Sequence, residues 1–99
     1  MKTRSAQTRE AAEILAIQAL AFIAEEPERL ATFLSVTGIT VEGVREAAGE
    51  SGFLAGVLEH MLADENLLLA FADSAGIDPA GIARARNAFG GDKWERNAP

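Results

Sequence analysis

Gly38-Ile39-Thr40-Val41-Glu42-Gly43-Val44 and Gly76-Ile77-Asp78-Pro79-Ala80-Gly81-Ile82 say the same thing 38 residues apart. Each reads as a helix stop, a tight turn and a helix start. A glycine just past a helix takes the left-handed conformation at little cost, whereas a side chain with a Cβ would lose about 1 kcal/mol there. The isoleucine that follows falls where a residue packs back on the last helical turn. Thr40 and Asp78 are N-cap types, and Pro79 suits a first turn because its missing N–H has no partner to lose. Two such corners predict an all-α chain of short helices.

Laying residues 14–49 over 52–87 gives seven identities in 36 positions: Leu20/Leu58, Leu30/Leu68, Phe33/Phe71, Gly38/Gly76, Ile39/Ile77, Gly43/Gly81 and Ala47/Ala85. The identities are few but fall where helix geometry is most demanding. Any helix–turn–helix corner selects part of this pattern by itself; the expectation is one three-helix unit used twice.

Outward from the corners, six helices are expected. The first runs from Ser5 or Thr8 to Glu25 and is apolar nearly all round, as in a helix enclosed by others or meeting a partner. The second starts at Pro27, buries Leu30, Phe33 and Leu34, and stops at Gly38. The third is capped by Thr40, turns Val41, Val44 and Ala47 or Ala48 inward, and closes at Gly49. The fourth, with Ser51 as N-cap, has the cleanest pattern: Phe53, Val57, Met61 on one row and Leu54, Leu58, Leu62 on the next, each stepping by four. The fifth, capped by Asp64, carries Leu67, Leu68, Leu69 and Phe71 to Gly76. The sixth starts at Asp78-Pro79 and ends near Gly90-Gly91. Residues 8–90 thus form a single helical domain, with a flexible N-terminus over 1–7 and a flexible tail over 91–99 that holds the lone Trp94.

Composition agrees. A chain of 99 residues, 48% apolar and without tyrosine, favours close-packed helices over strands. Without cysteine there are no disulfides or thiolate metal sites. The apolar stretch from Ala11 to Ala24 begins among Glu10 and Glu13, lacks a cleavage pattern and is short for a bilayer span. A cytoplasmic protein without membrane attachment is expected. The net charge is −6, and from Glu25 to Asp78 eleven acids face only Arg29 and Arg45. An acidic middle repels phosphate and counts against nucleic acid as the main partner.

Few motifs carry chemistry. The second corner resembles a DNA-binding helix-turn-helix through Leu68, Ala72, Gly76 and Ile82, which would turn Arg84 and Arg86 toward DNA. The first copy has the same spacing but carries Glu42 and Glu46, and the sixth helix has Ala80 and Gly81 where base-reading side chains belong. His60, the only histidine, has Glu59 and Asp64 nearby but lacks the third ligand of a metal site or a nucleophile to serve. Ser51 misses nucleophile-elbow spacing, and no phosphate loop or dinucleotide fingerprint occurs. No catalytic residue, metal or cofactor is therefore assigned, and an enzyme is not expected.

What remains is an apolar surplus. Either alanine-lined crossings absorb it in a tight core, or part of it is a surface for self-association or a protein partner. The candidate faces are Ile14, Ile17 and Phe22 on the first helix and Phe53, Val57 and Met61 on the fourth.

Through Ala16-Ile17-Gln18-Ala19-Leu20, Asp64 to Phe71 and Ala75-Gly76-Ile77-Asp78-Pro79, the stretch from Thr8 to Ala88 resembles a family of short, all-helical bacterial proteins of unknown function. The resemblance implies a small helical cytoplasmic protein and supplies no site residues. The sequence therefore predicts an all-α, compact orthogonal bundle of five or six short helices in two repeated three-helix units. Its expected role is a non-enzymatic protein–protein interaction module, with a DNA-binding regulator using the 79–88 helix as the alternative.

Overall fold

The computed structural model describes residues 2–90, with side chains from Thr8 onward. Among them are six α-helices: α1 Lys2–Ala24, α2 Pro27–Thr37, α3 Val41–Ala47, α4 Ser51–Leu62, α5 Glu65–Ala75 and α6 Ala80–Ala88. The all-α bundle is as predicted. The first helix begins earlier than expected and takes in residues 2–7, read above as a flexible end. The tail at 91–99, with Trp94, lies outside the described residues.

Helix α4 is the centre. Phe53, Leu54, Val57, Leu58 and Met61 are all buried, both predicted rows facing inward. Helix α1 meets it with a stripe of small residues, Ala12, Ala16 and Ala19, which ends in Ile23. Alanine keeps side-chain bulk out of the crossing, so α1 lies close to both α4 and α6. From α6, Ile82, Ala85 and Phe89 enter the same core. Helix α2 packs on α1 and contributes Phe33; α5 packs on α4 and contributes Phe71 and Ala72. The rings interlock: Phe22 lies 5.4 Å from Phe71, and Phe33 stands edge-on to Phe53 at 5.9 Å. No polar or charged residue among the described ones is buried.

Both corners have the predicted backbone. Gly38 (φ 73°) ends α2 and Gly76 (φ 69°) ends α5, each in the left-handed region. The Gly38 N–H donates to Leu34 O, and Ile77 N–H donates to Ala72 O, closing the last turns. The Thr40 side chain accepts from Gly43 N–H at 3.0 Å, Asp64 from Leu67 N–H at 3.2 Å and Asp78 from Ala80 N–H at 2.9 Å.

Three local expectations are corrected. Glu50 takes the N-cap position of α4, and Ser51 is its first helical residue. Ala48, not Gly49, is the C-cap of α3. Val41 points outward at 62% exposure, because a seven-residue helix turns only about one side inward, and Val44 and Ala47 occupy it. The expected repeat of three-helix units is not confirmed: α2 packs on α1 and α5 on α4, but α6 packs on both α1 and α4 while α3 makes no comparable contact with either. The shared glycines differ too: a Cβ at Gly43 would sit 2.9 Å from Ile39 Cγ1, whereas at Gly81 it would meet only Arg84 at 3.6 Å.

The corner glycines give a direct test. Nothing lies within 4 Å of a Cβ built at Gly76, so the cost of Gly76→Ala is conformational alone. Gly38→Ala and Gly76→Ala are each expected to destabilise by about 1 kcal/mol, a fall of about 4–8 °C in melting temperature. Gly76→Asn should recover part of the loss, since asparagine tolerates the left-handed region.

Candidate functional site

The core of the bundle takes over most of the predicted interaction face. Phe53, Val57 and Met61 are buried in the core and present nothing to a partner. Phe22 is buried as well: its ring packs on Phe71, and the Arg29 guanidinium lies 4.1 Å above it. Arg29 is held there by its bond to Phe22 O at 3.3 Å and a 3.9 Å contact with Glu26. The expectation of an exposed apolar face on α4 is therefore corrected. Its two rows are adjacent on one helix side, and the helices packed around α4, with Phe33 of α2 against Phe53, cover them.

Ile14 and Ile17 are different. They are 54% and 50% exposed, one turn apart on the outer side of α1. At helical spacing the same side carries Ala21 and Ala24, both exposed, with Glu10, Glu13 and Gln18 as its polar members. This arc runs into a groove between α1 and α6. The groove encloses about 420 Å³ and is lined by Thr8, Ala11, Ala12 and Leu15 from one helix and Gly81, Arg84, Ala85 and Ala88 from the other. Small residues on α6 leave the space. Arg84 is the cation at the groove's edge, and its side chain is exposed.

Arg86, the second predicted DNA contact, is committed elsewhere. Its Nε donates to Glu59 Oε2 at 2.7 Å, and its Nη1 reaches Gly90 O at 3.3 Å. With a side chain only 15% exposed, it ties α6 to α4. The structure thus separates Arg84 from Arg86 rather than presenting both on one face.

His60 lies at a smaller depression of about 200 Å³ with Glu28, Arg29, Thr32, Asp64 and Leu67. Its ring stands edge-on to Phe33 at 5.1 Å. Burial lowers the imidazole pKa below the ordinary 6.5, and the Asp64 carboxylate pulls it the other way. Among the described residues no three His, Cys, Asp or Glu side chains are grouped to hold a metal ion. No helix among them is long and apolar enough to cross a membrane.

The sequence reading missed the groove, because it is made by two helices far apart in the chain. The signal available was the stripe of small residues at 81, 85 and 88 on α6 facing 8, 11, 12 and 15 on α1. It also missed Val36, Val41 and Leu69, which are exposed apolar residues on α2, α3 and α5.

The described residues define a small all-helical bundle. The family described as protein of unknown function DUF3572 matches residues 9–92, and the chain belongs to it. No curated protein and no solved structure matches the chain.

Burial and exposure separate cleanly in a mutational test. Met61→Ala should cost about 2–5 kcal/mol through the cavity it leaves. Ile14→Glu with Ile17→Glu should change monomer stability by no more than about 0.5 kcal/mol per site, the range of ordinary surface changes. Chemical denaturation of the two variants at low protein concentration decides it, and an equal loss in both would show that the α1 face is internal.

His60 gives a pH signature. The folded state holds the His60 proton less readily than the unfolded chain does. Its contribution is therefore complete above the ordinary value of 6.5 and is lost as pH falls through the lower folded value. Melting temperatures between about pH 7 and pH 5 should fall more for the wild type than for His60→Gln, which has no proton to take up. Parallel curves would mean that His60 is not desolvated.

Proposed function

We propose that this chain is a non-enzymatic, cytoplasmic protein–protein interaction module that binds through the outer face of α1 and the adjoining α1–α6 groove. The observation carrying this reading is the exposure of Ile14 and Ile17 on an arc whose polar members are Glu10, Glu13 and Gln18. Apolar surface of this kind on a small protein is most often an interface. The groove supports the same reading, since its floor of alanine and glycine suits a helix side chain laid into it. A cytoplasmic setting is supported by the acidic Glu10 and Glu13 at the head of the apolar stretch.

DNA binding through α6 is less well supported. It would rest on Arg84, since Arg86 is held by Glu59, and the acidic middle opposes phosphate.

Tagged wild type and an Ile14→Glu, Ile17→Glu variant should be used as baits in nuclease-treated lysate of the source cells. The expected result is a stoichiometric protein, the same chain or another, retained by the wild type in high salt and lost by the variant. Retention of nucleic acid that salt releases, equal in both baits, would overturn the reading in favour of α6.

A further inference from the structure

We infer that the partner enters the α1–α6 groove as an amphipathic helix with an acidic residue beside its apolar stripe, the acid meeting Arg84; this rests on the chain being an interaction module.

The first support is the form of the groove. Its lining runs from Thr8 to Leu15 on α1 and from Gly81 to Ala88 on α6. On each helix the lining residues fall at i, i+3, i+4 and i+7, one face followed for two turns. The Arg9 guanidinium over the Phe89 ring sets the start of α1 beside the end of α6. The two faces therefore run antiparallel, as matched walls about 10 Å long. Two turns of a third helix have that length. Alanine and glycine form most of both walls, which lets a third backbone come close. Thr8, Ala11 and Arg84 are exposed, so the groove covers one side of its occupant and leaves the other in water. A small apolar ligand is normally enclosed on most sides. A helix with one apolar and one polar side fits a one-sided groove.

The second support is charge. Among the described residues lining the groove, Arg84 is the one that is charged. Arg9, Arg29 and Arg86 are paired with Glu13, Glu26 and Glu59, whereas among the described residues no carboxylate pairs with Arg84. Its guanidinium lies at the Gly81 end of the groove, where a Cβ built on Gly81 would meet Arg84 Nη2 at 3.6 Å. An acid on the incoming helix matches that cation. With a net charge of −6 the chain does not draw an acidic partner from a distance, so the pairing fixes where the helix sits rather than how fast it arrives. A basic helix would be attracted by the chain as a whole and repelled at the groove. Nucleic acid would find a single cation there, too few to hold its phosphates.

A phage-displayed library of helical peptides of about 15 residues, selected on the wild-type chain, tests this. The enriched sequences should share apolar residues at i, i+3 or i+4, and i+7, with Asp or Glu beside them. Selection on Arg84→Glu should place Lys or Arg where the acid was. By fluorescence anisotropy, an enriched peptide should bind Arg84→Glu about tenfold more weakly and recover when its own acid is changed to lysine. Gly81→Leu fills the groove and should abolish binding. That variant should melt no lower than the wild type, because leucine is the better helix former and a Cβ there meets only the movable end of Arg84. Enrichment without the helical spacing, an acid that keeps its sign on Arg84→Glu, full binding to Gly81→Leu, or no enrichment each overturns the inference. If a protein captured from lysate is lost by Ile14→Glu, Ile17→Glu but kept by Gly81→Leu and Arg84→Glu, the interaction reading stands on the α1 face and only the groove inference falls. A protein kept by all three variants overturns both.

Discussion

Everything else in this bundle depends on the close crossing of α1 with α4 and α6. Ala12, Ala16 and Ala19 make it possible, because a larger side chain at any of them would push the helices apart. Once α1 lies that close, the two rows of α4 are sealed, and Ile82 and Phe89 have a floor to rest on. Stability then comes from a dry core of aromatic and aliphatic groups rather than from polar links. Arg86 with Glu59, and Arg9 over the Phe89 ring at 5.3 Å, fasten the edges of that core.

The alanine crossing also decides what is left outside. A helix that offers its small residues to the interior must carry its large ones elsewhere. On α1 the consequence is that Leu15, Leu20 and Phe22 flank the crossing while Ile14 and Ile17 are turned out. The groove beside α6 has the same origin. Gly81, Ala85 and Ala88 bring α6 near α1 without filling the space above the contact. Core packing and exposed surface are thus two results of one choice of residues.

That link explains which parts were legible in the sequence. The corners were, because Gly38 and Gly76 answer to a local backbone requirement that no distant contact can override. The inward rows of α4 were, because both rows are apolar and lie side by side. The outward face was less legible: of the six residues read as a candidate face, Ile14 and Ile17 are exposed, and Phe22, Phe53, Val57 and Met61 are core. Periodicity says which residues share a helix side and does not say which side a distant helix covers. The stacking of Arg29 on Phe22 is likewise set by the turn between α1 and α2, which brings residues seven apart into contact. The partnership of Arg86 with Glu59 spans 27 positions and had no local signature.

The two similar corners sharpen this point. Helix α2 packs on α1 and α5 on α4, and the closing glycines Gly38 and Gly76 share one conformation. The halves diverge at the third helix. Ile82 of α6 is fully buried, while its counterpart Val44 on α3 is only partly so. Helix α6, with Phe89 after it, packs on both α1 and α4, and α3 does not. Two similar stretches of sequence therefore reach different burial, because burial is decided by what packs against each of them.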